Sequence, residues 1–197
     1  RMKKEEGHYI ESIITTEKAM ELADQNSLLV VLDTHRKSYT EAPELLDKID
    51  KVVLIDHHRR SEEYIENTLL DYIEPYASST CELVAELIQY MEDHVKLTKF
   101  DADALMAGIV VDTNSFTFKT GIRTFEAAAF LKGKGADNVE VKELFNESID
   151  FMKKKTEIIE KSEIIFDDVA VSYIDEYSDD SNVVAAQCAD ELLTIKG

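Results

Sequence analysis

The sequence predicts an α/β fold in which a parallel sheet is flanked by helices. Two apolar runs predict the sheet, Leu28–Asp33 (LLVVLD) and Lys51–Asp56 (KVVLID), and each ends in an aspartate. Continuous branched aliphatic runs without polar alternation are typical of strands buried on both faces. The helical stretch Glu41–Lys48 lies between them, and strand, helix and strand at this spacing predict a βαβ unit with a right-handed crossover.

The composition indicates one packed domain and part of a second. The chain has 197 residues, 44% of them hydrophobic, with 6 Gly and 2 Pro. A typical domain has about 100–200 residues, and so few Gly and Pro argue against a turn-dense all-β fold. The 22 Lys and Arg against 41 Asp and Glu give a formal charge of −19, which disfavours a surface that binds duplex nucleic acid.

Helical periodicity recurs along most of the remaining chain, after a polar connection that follows the second predicted strand. One segment is ambiguous, because GIVV alone suggests a strand, whereas the cap at Asp101 and the apolar spacing favour a helix. The first helix is predicted to begin with Thr16 as its N-cap. The predicted helices are Thr16–Ala23, Ser78–Asp93, Asp101–Val111, Arg123–Lys132, Val139–Asn146 and Ile149–Ile164.

The C-terminal part differs in character from the rest. Asp168–Ile174 (DVAVSYI) alternates like a strand, and Asn182–Ile195 is an Ala-rich helical stretch. A lone strand and helix cannot bury enough surface to form a domain. We therefore expect a main domain over residues 1–147, a linker helix over 148–165 and the start of an incomplete second α/β domain over 166–197.

Several features indicate a cytoplasmic segment. No apolar run approaches the ~20 residues that span a bilayer, so no direct membrane contact is expected. The two cysteines, Cys81 and Cys188, cannot form a disulfide framework, which favours a reducing compartment. The N-terminus has neither an initiator Met nor a signal-peptide pattern.

Chemically versatile side chains follow both predicted strands at their carboxyl ends. In open α/β sheets, ligands bind outside these ends. Carboxylates mixed with imidazoles suit Mn²⁺, Fe²⁺ or Zn²⁺. The residues expected in one crevice are Asp33, His35, Asp56, His57 and His58, followed by Arg59 and Arg60.

With Asp112 from GIVVDTNSF, this set has more ligands than one ion needs. Two ions about 3.5–4 Å apart can clamp a phosphate and activate a water between them. Arg59 and Arg60 would then meet phosphate oxygens by bidentate contact.

Each of these residues also has a purely structural interpretation. A strand-terminal Asp often only caps the next turn, and His35 is explained equally well by contact with a neighbouring carboxylate. Arg59 and Arg60 are explained equally well as a solvated pair. Cys81 is interpreted as a core residue, because its helical neighbours are apolar.

Four segments carry a family resemblance. The segment VVLIDHHRR resembles the signature of the DHH phosphoesterase superfamily. The segments LLVVLDTHRKS, EPYASSTCELVAELI and LMAGIVVDTNSFTFKTGIRTFEAAAFLKGKGAD are similar to membrane-anchored cyclic di-AMP phosphodiesterases of Gram-positive bacteria. The similarity runs from about Thr16 to Leu193. It implies a Rossmann-like DHH domain, a linker helix and a DHH-associated domain that closes over a two-manganese site. The implied reaction is hydrolysis of cyclic di-AMP to the linear dinucleotide by metal-activated water.

The resemblance also implies residue roles. Asp33 would bridge both metals, His57 would bind one of them, and Asp112 would complete the set. Asp56 would orient an imidazole from outside the metal shell, and His58 would face the substrate phosphate or a metal-bound water. Further substrate contacts are expected from Arg59, Arg60, Ser78, Ser79 and Thr80.

Two family elements have no counterpart in this sequence, an N-terminal His-x-x-x-Asp-x-Asp motif and the Gly-Gly-His loop of the DHH-associated domain. The stretch DADALMAG resembles the first motif, but it is better explained as a helix start with acids in its first turn. We therefore expect weakened metal affinity and little or no turnover by this segment alone. The resemblance further implies a parent protein tethered to the membrane, and a homodimer is left open.

Three other functions remain open from the sequence. One is a nano-RNase or exonuclease that degrades short oligonucleotides, and another is a family II inorganic pyrophosphatase. The third is a non-catalytic regulatory module that binds a nucleotide without cleaving it.

Overall fold

The computed structural model describes residues 13–91, 94–166, 168–175, 177–178 and 180–195. The chain divides into two compact units, the first ending at Leu144 and the second beginning at Phe145. The assignment of these units to the two predicted domains stays a prediction. None of the helices built from the described residues is long and apolar enough to cross a bilayer.

A three-stranded parallel sheet forms the centre of the first unit. Its strands are β1 (Leu29–Leu32), β2 (Val52–Asp56) and β3 (Leu70–Ile73), arranged in the order β1-β2-β3. Leu32 of β1 pairs with Ile55 of β2. The predicted α/β fold with a parallel sheet is confirmed.

The strands differ in burial because of their positions in the sheet. The central strand β2 is buried, and Leu54 is fully inaccessible. In β1, by contrast, only Val31 is buried, while Val30 is 45% and Leu32 48% exposed. The prediction that β1 is buried on both faces is therefore wrong, because among the described residues this strand has a neighbour on one side only.

The strand β3 lies in the polar connection after the second predicted strand, where the residue pattern does not predict a strand. Its four residues LDYI are exposed or half-buried and lack a continuous apolar run. It is held by parallel pairing with β2, where Val53 lies opposite Leu70. This segment forms a strand because it pairs with the buried strand β2, and its own residue pattern would not be sufficient.

Six helices complete the described part of the first unit, together with a short 3₁₀ turn at Lys37–Tyr39. The ambiguous GIVV segment is helical. The helices are α1 (Thr16–Leu22), α2 (Glu44–Lys48), α3 (Thr80–Tyr90), α4 (Lys99–Asp112), α5 (Ile122–Gly133) and α6 (Asn138–Leu144).

Two helices are capped at an earlier residue than predicted, by three positions in α4 and by one in α1. In α4 the N-cap is Thr98, not Asp101, and the two residues form a capping box in which each side chain accepts from the other's backbone N–H. In α1 the N-cap is Thr15 rather than Thr16, because the Thr15 hydroxyl accepts from the backbone N–H of Lys18. In both helices the capping oxygen satisfies an N–H group that the first turn leaves without a partner.

The helices α3 to α6 pack around a core of small and aliphatic side chains. A Cβ atom added to Gly108 of α4 would lie 2.2 Å from the Sγ atom of Cys81 in α3. Only glycine therefore allows these two helices to approach so closely. The buried core residues are Ala85, Ala102, Met106, Ile109, Ala127, Leu131, Ala136 and Val141.

The second unit contains α7 (Ile149–Glu160), the antiparallel strands β4 (Glu163–Ile165) and β5 (Val169–Val171), and α8 (Ser181–Leu192). The helix predicted over Ile149–Ile164 is too long, since its last residues pair with β5 instead. The last predicted helical turn is instead the strand β4, which pairs with β5.

Candidate metal centre

The first site residue, Asp33, directly follows β1 at the carboxyl edge of the sheet. Its backbone N–H donates to the carbonyl oxygen of Ile55 at 3.0 Å, so the sheet holds its position. Its φ is 65°, in the left-handed region that Asp and Asn tolerate better than most residues. Its side chain is 59% exposed, and Oδ1 accepts a 2.7 Å hydrogen bond from the Thr80 hydroxyl at the start of α3.

The next site residue, His57, follows β2 and is buried. Its Nδ1 lies 3.4 Å from the carbonyl oxygen of Ala77, which can only accept, so this contact favours the tautomer with the proton on Nδ1. Its Nε2 then presents a lone pair 3.5 Å from Asp33 Oδ1 and 3.7 Å from Asp112 Oδ2. These distances exceed the usual 2.7–3.2 Å of a hydrogen bond. In this tautomer, the Nε2 lone pair and two carboxylate oxygens face one another.

These donor atoms fit a divalent cation. One ligand atom each from Asp33, His57 and His58 lies within 4.8 Å of the others. Two ligands at about 2.1 Å from an ion in tetrahedral geometry lie about 3.4 Å apart, close to the spacings around His57 Nε2. Nitrogen and carboxylate oxygen together suit Mn²⁺, Fe²⁺ or Zn²⁺ and do not distinguish among them.

The charges around Asp112 also favour a bound cation. Burial raises the pKa of Asp112, and of the neighbouring charges His57 opposes this shift while Asp33 adds to it. Asp112 is also the last residue of α4, where the helix dipole is negative. A bound cation would relieve this crowding of negative charge.

The third aspartate, Asp56, is fully buried at the end of β2 and binds two imidazoles. Its Oδ2 lies 2.6 Å from His35 Nδ1, and its Oδ1 accepts from the backbone N–H and Nδ1 of His58 at 3.1 and 2.7 Å. Burial by itself raises the pKa of Asp56, but the hydrogen bonds from His35 and His58 outweigh it and hold the pKa below its ordinary value. With Nδ1 of His58 engaged, only its Nε2 remains for a ligand.

The structure places His35 beside a carboxylate, outside the metal group. It is 3% exposed, and its Nε2 lies 3.0 Å from the backbone nitrogen of Ser61. Because a backbone N–H can only donate, Nε2 accepts this bond and Nδ1 donates to Asp56. His35 therefore links the loop after β1 to the loop after β2. Sequence reasoning missed Ser61 and Ala77, since contacts to backbone groups leave no residue-type signal.

The three residues at the start of α3 have different surroundings. Ser78 and Ser79 are fully buried, and their hydroxyls bind the carboxylate and the backbone N–H of Glu82, respectively. Thr80 alone contacts the site, through Asp33. Substrate contact by these three residues stays a prediction.

The core interpretation of Cys81 agrees with its surroundings. Burial raises the pKa of the Cys81 thiol to about 11, and the charges of Asp112 and Asp33 add to the shift. The thiol therefore stays protonated at neutral pH, which excludes a ready thiolate nucleophile.

Arg59 and Arg60 both lie exposed after the two histidines. The Arg60 guanidinium stacks on the Tyr64 ring, 4.0 Å from its centroid, while Arg59 lines a cavity together with Asp33 and His58.

Comparison with known proteins gives consistent relatives. Residues 2–109 match the DHH family, N-terminal domain. The chain is 47% identical over 184 residues to the cyclic-di-AMP phosphodiesterase GdpP of Geobacillus thermodenitrificans, covering 93% of this chain and 28% of that protein. It is 44% identical over 188 residues to the cyclic-di-AMP phosphodiesterase PdeA of Listeria monocytogenes, covering 95% of this chain and 29% of that protein. The chain thus spans less than a third of the length of these relatives.

Among solved structures, an exopolyphosphatase-related protein from Bacteroides fragilis superimposes with a TM-score of 0.76 at 19% identity. The match covers 94% of this chain and 58% of that protein. At this identity the likeness supports the fold alone.

Proposed function

This chain belongs to the DHH family, and from that premise we propose that it carries the metal centre of a phosphodiesterase that hydrolyses cyclic di-AMP to the linear dinucleotide. The observation that carries the proposal is the convergence of His57 Nε2 with the carboxylates of Asp33 and Asp112 at the carboxyl edge of the sheet. The substrate is proposed from relatives named as cyclic-di-AMP phosphodiesterases at 44% and 47% identity.

Asp33, His57 and Asp112 are the proposed metal ligands, and two Mn²⁺ ions are the proposed cofactor. When bound, such ions supply Lewis acidity beside the phosphate and lower the pKa of a nearby water. The acidic chain then attracts an anionic substrate mainly through its bound cations.

The other proposed roles concern the substrate side of the centre. Asp56 holds His58 through Nδ1, so that Nε2 of His58 is free to face a phosphate oxygen. Arg59 and Arg60 are proposed to contact phosphate oxygens, where a guanidinium can donate two parallel hydrogen bonds. Thr80 fixes one oxygen of Asp33.

The second unit is proposed to be the start of a DHH-associated domain. Its chain of helix, hairpin and helix is in keeping with that assignment. A cytoplasmic location and a homodimer are further proposals, and tethering of the protein to a membrane is a proposal that rests on the family resemblance.

The test replaces Asp33 with asparagine in the full-length protein. Asparagine keeps the shape and tolerates the φ of 65°, whereas alanine there would add strain of about 1–2 kcal/mol. We expect Asp33→Asn to lower kcat/KM for cyclic di-AMP by more than about 100-fold and to weaken Mn²⁺ binding in a calorimetric titration. The control is Asp50→Asn, an exposed carboxylate that precedes β2 at the opposite edge of the sheet.

Cyclic di-AMP, a linear oligonucleotide and pyrophosphate are compared as substrates. Preference for pyrophosphate, or for the linear oligonucleotide, would contradict the proposed substrate. Unchanged Mn²⁺ affinity in Asp33→Asn would contradict the metal assignment.

A further inference from the structure

Unpaired arginines cluster beside the metal centre. The described residues contain four arginines, and one of them, Arg123, forms an ion pair with Glu86 at 2.6 Å. The other three, Arg36, Arg59 and Arg60, form no ion pair within the described part of the chain. In a chain with 41 acids against 22 bases, arginines that form no salt bridge and line one cavity, as Arg36 and Arg59 do, indicate a site for an anionic ligand.

A cavity of about 580 Å³ connects two of these arginines to the metal centre. Its lining includes Asp33 and His58 of the site together with Arg36, Tyr39 and Arg59. A phosphodiester held near Asp33 therefore has space on this side for the groups attached to its phosphate.

Two residues of this cavity lining form a preformed stack. The Arg36 guanidinium lies 3.6 Å from the centroid of the Tyr39 ring, yet Tyr39 remains 64% exposed. One ring face is thus covered and the other is open. The geometry is fixed locally, because the Tyr39 backbone N–H donates to the Arg36 carbonyl oxygen at 3.1 Å and the Arg36 N–H donates to the Thr34 hydroxyl at 3.2 Å.

We propose that Arg36 and Tyr39 form a subsite for one nucleoside of a dinucleotide whose phosphate lies at the metal centre. The open face of the Tyr39 ring stacks on the base. The Arg36 guanidinium stacks on the opposite face of the ring and adds positive charge to the cavity. Aromatic stacking of this kind accepts any base and needs no base-specific hydrogen bonds. The subsite rests on the proposed function, because it requires a phosphodiester at the metal centre.

The test compares Tyr39→Leu with Tyr39→Phe in the full-length protein. Removal of the ring should raise KM for cyclic di-AMP by about 10-fold with little change in kcat, as expected for the loss of one stacked base. Tyr39→Phe keeps the ring and should retain the original KM. Inhibition by ribose 5-phosphate, which has a phosphate but no base, should be unchanged in both variants. The matched control is Tyr90→Leu, since Tyr90 is 90% exposed on α3.

The outcomes separate the subsite from the proposed function. If the unchanged protein does not hydrolyse cyclic di-AMP, the proposed function is overturned and the subsite with it. If it does, and Tyr39→Leu leaves KM within about twofold, too small a change for a lost stacked base, the subsite alone is overturned. An equal loss of ribose 5-phosphate inhibition would overturn the nucleoside assignment, because the ring would then act on the phosphate position.

Discussion

Replacing His35 with leucine should destabilise the first unit by removing one partner of the buried Asp56. Asp56 is fully inaccessible and would lose its 2.6 Å hydrogen bond, leaving one oxygen unsatisfied. A hydrogen bond to a charged group contributes about 1.5–3 kcal/mol, and the Ser61 N–H would lose its acceptor at about 1 kcal/mol. The expected loss in the free energy of unfolding is therefore about 3 kcal/mol.

Urea unfolding followed by circular dichroism measures this loss. With an m value of about 2 kcal/mol/M, the midpoint should fall by about 1.5 M urea. The matched control is His94→Leu, an exposed histidine whose replacement should change stability by no more than about 0.5 kcal/mol. A His35→Leu variant as stable as the control would refute the role assigned to this histidine.

The pH dependence of the free energy of unfolding, compared between the unchanged protein and His35→Leu, gives a second test. The pKa of Asp56 in the folded protein is lowered from 3.8, so its ionised form stabilises the fold above that value and this contribution is lost as the pH falls through the folded pKa. In His35→Leu burial is opposed only by His58, so the pKa of Asp56 rises and its charge becomes costly at neutral pH. The stability difference between the two proteins should therefore shrink from about pH 7 to about pH 3.5. A constant difference would contradict the proposed balance of burial and hydrogen bonding.

Two further experiments test the packing and the surface charges of the first unit. Gly108→Ala should cost about 1–3 kcal/mol, because the new Cβ meets Cys81 Sγ at 2.2 Å, whereas Gly133→Ala, with nothing within 4 Å, should be neutral or slightly stabilising. Thermal unfolding compares the two, and equal melting temperatures would contradict the close helix contact. Arg123→Met should cost about 1 kcal/mol or less, because its ion pair is half-exposed, and the loss should shrink in about 1 M salt. A loss in urea unfolding that does not depend on salt would point to packing of the side-chain stem instead of charge.

The elements that the sequence could predict are those whose own residues carry the signal. The central strand Val52–Asp56 was predicted because a strand between two neighbours must be apolar on both faces. The helix predicted over Ser78–Asp93 follows from apolar residues that recur at helical spacing, and the structure has it at Thr80–Tyr90 with Ser79 as its N-cap. Both patterns reflect local requirements and do not depend on a distant partner.

The elements that could not be predicted depend on tertiary partners. The strands Leu70–Ile73 and Glu163–Ile165 exist because a neighbouring strand pairs with them, and neither sequence alternates strongly. The exposure of β1 follows from its position at the edge of the described sheet, which an apolar run does not reveal. Similarly, the sequence predicts that His35 and Asp56 lie at the carboxyl edge of the sheet. It does not predict whether the imidazole of His35 binds a metal or a carboxylate.

The three aspartates of the site, two at strand ends and one at the end of α4, illustrate how one residue type acquires different chemistry. Asp56 is fully buried, and its charge is balanced by three hydrogen bonds from His35 and His58. Asp33 accepts one hydrogen bond from Thr80, and no hydrogen bond reaches the Asp112 carboxylate from any described residue. A carboxylate whose oxygens are both engaged inside the protein has little capacity left for a cation, whereas Asp33 and Asp112 keep oxygen lone pairs that face His57 Nε2. The difference in hydrogen bonding, more than the shared residue type, is therefore the reason to assign Asp33 and Asp112 to the metal and Asp56 to the positioning of His58.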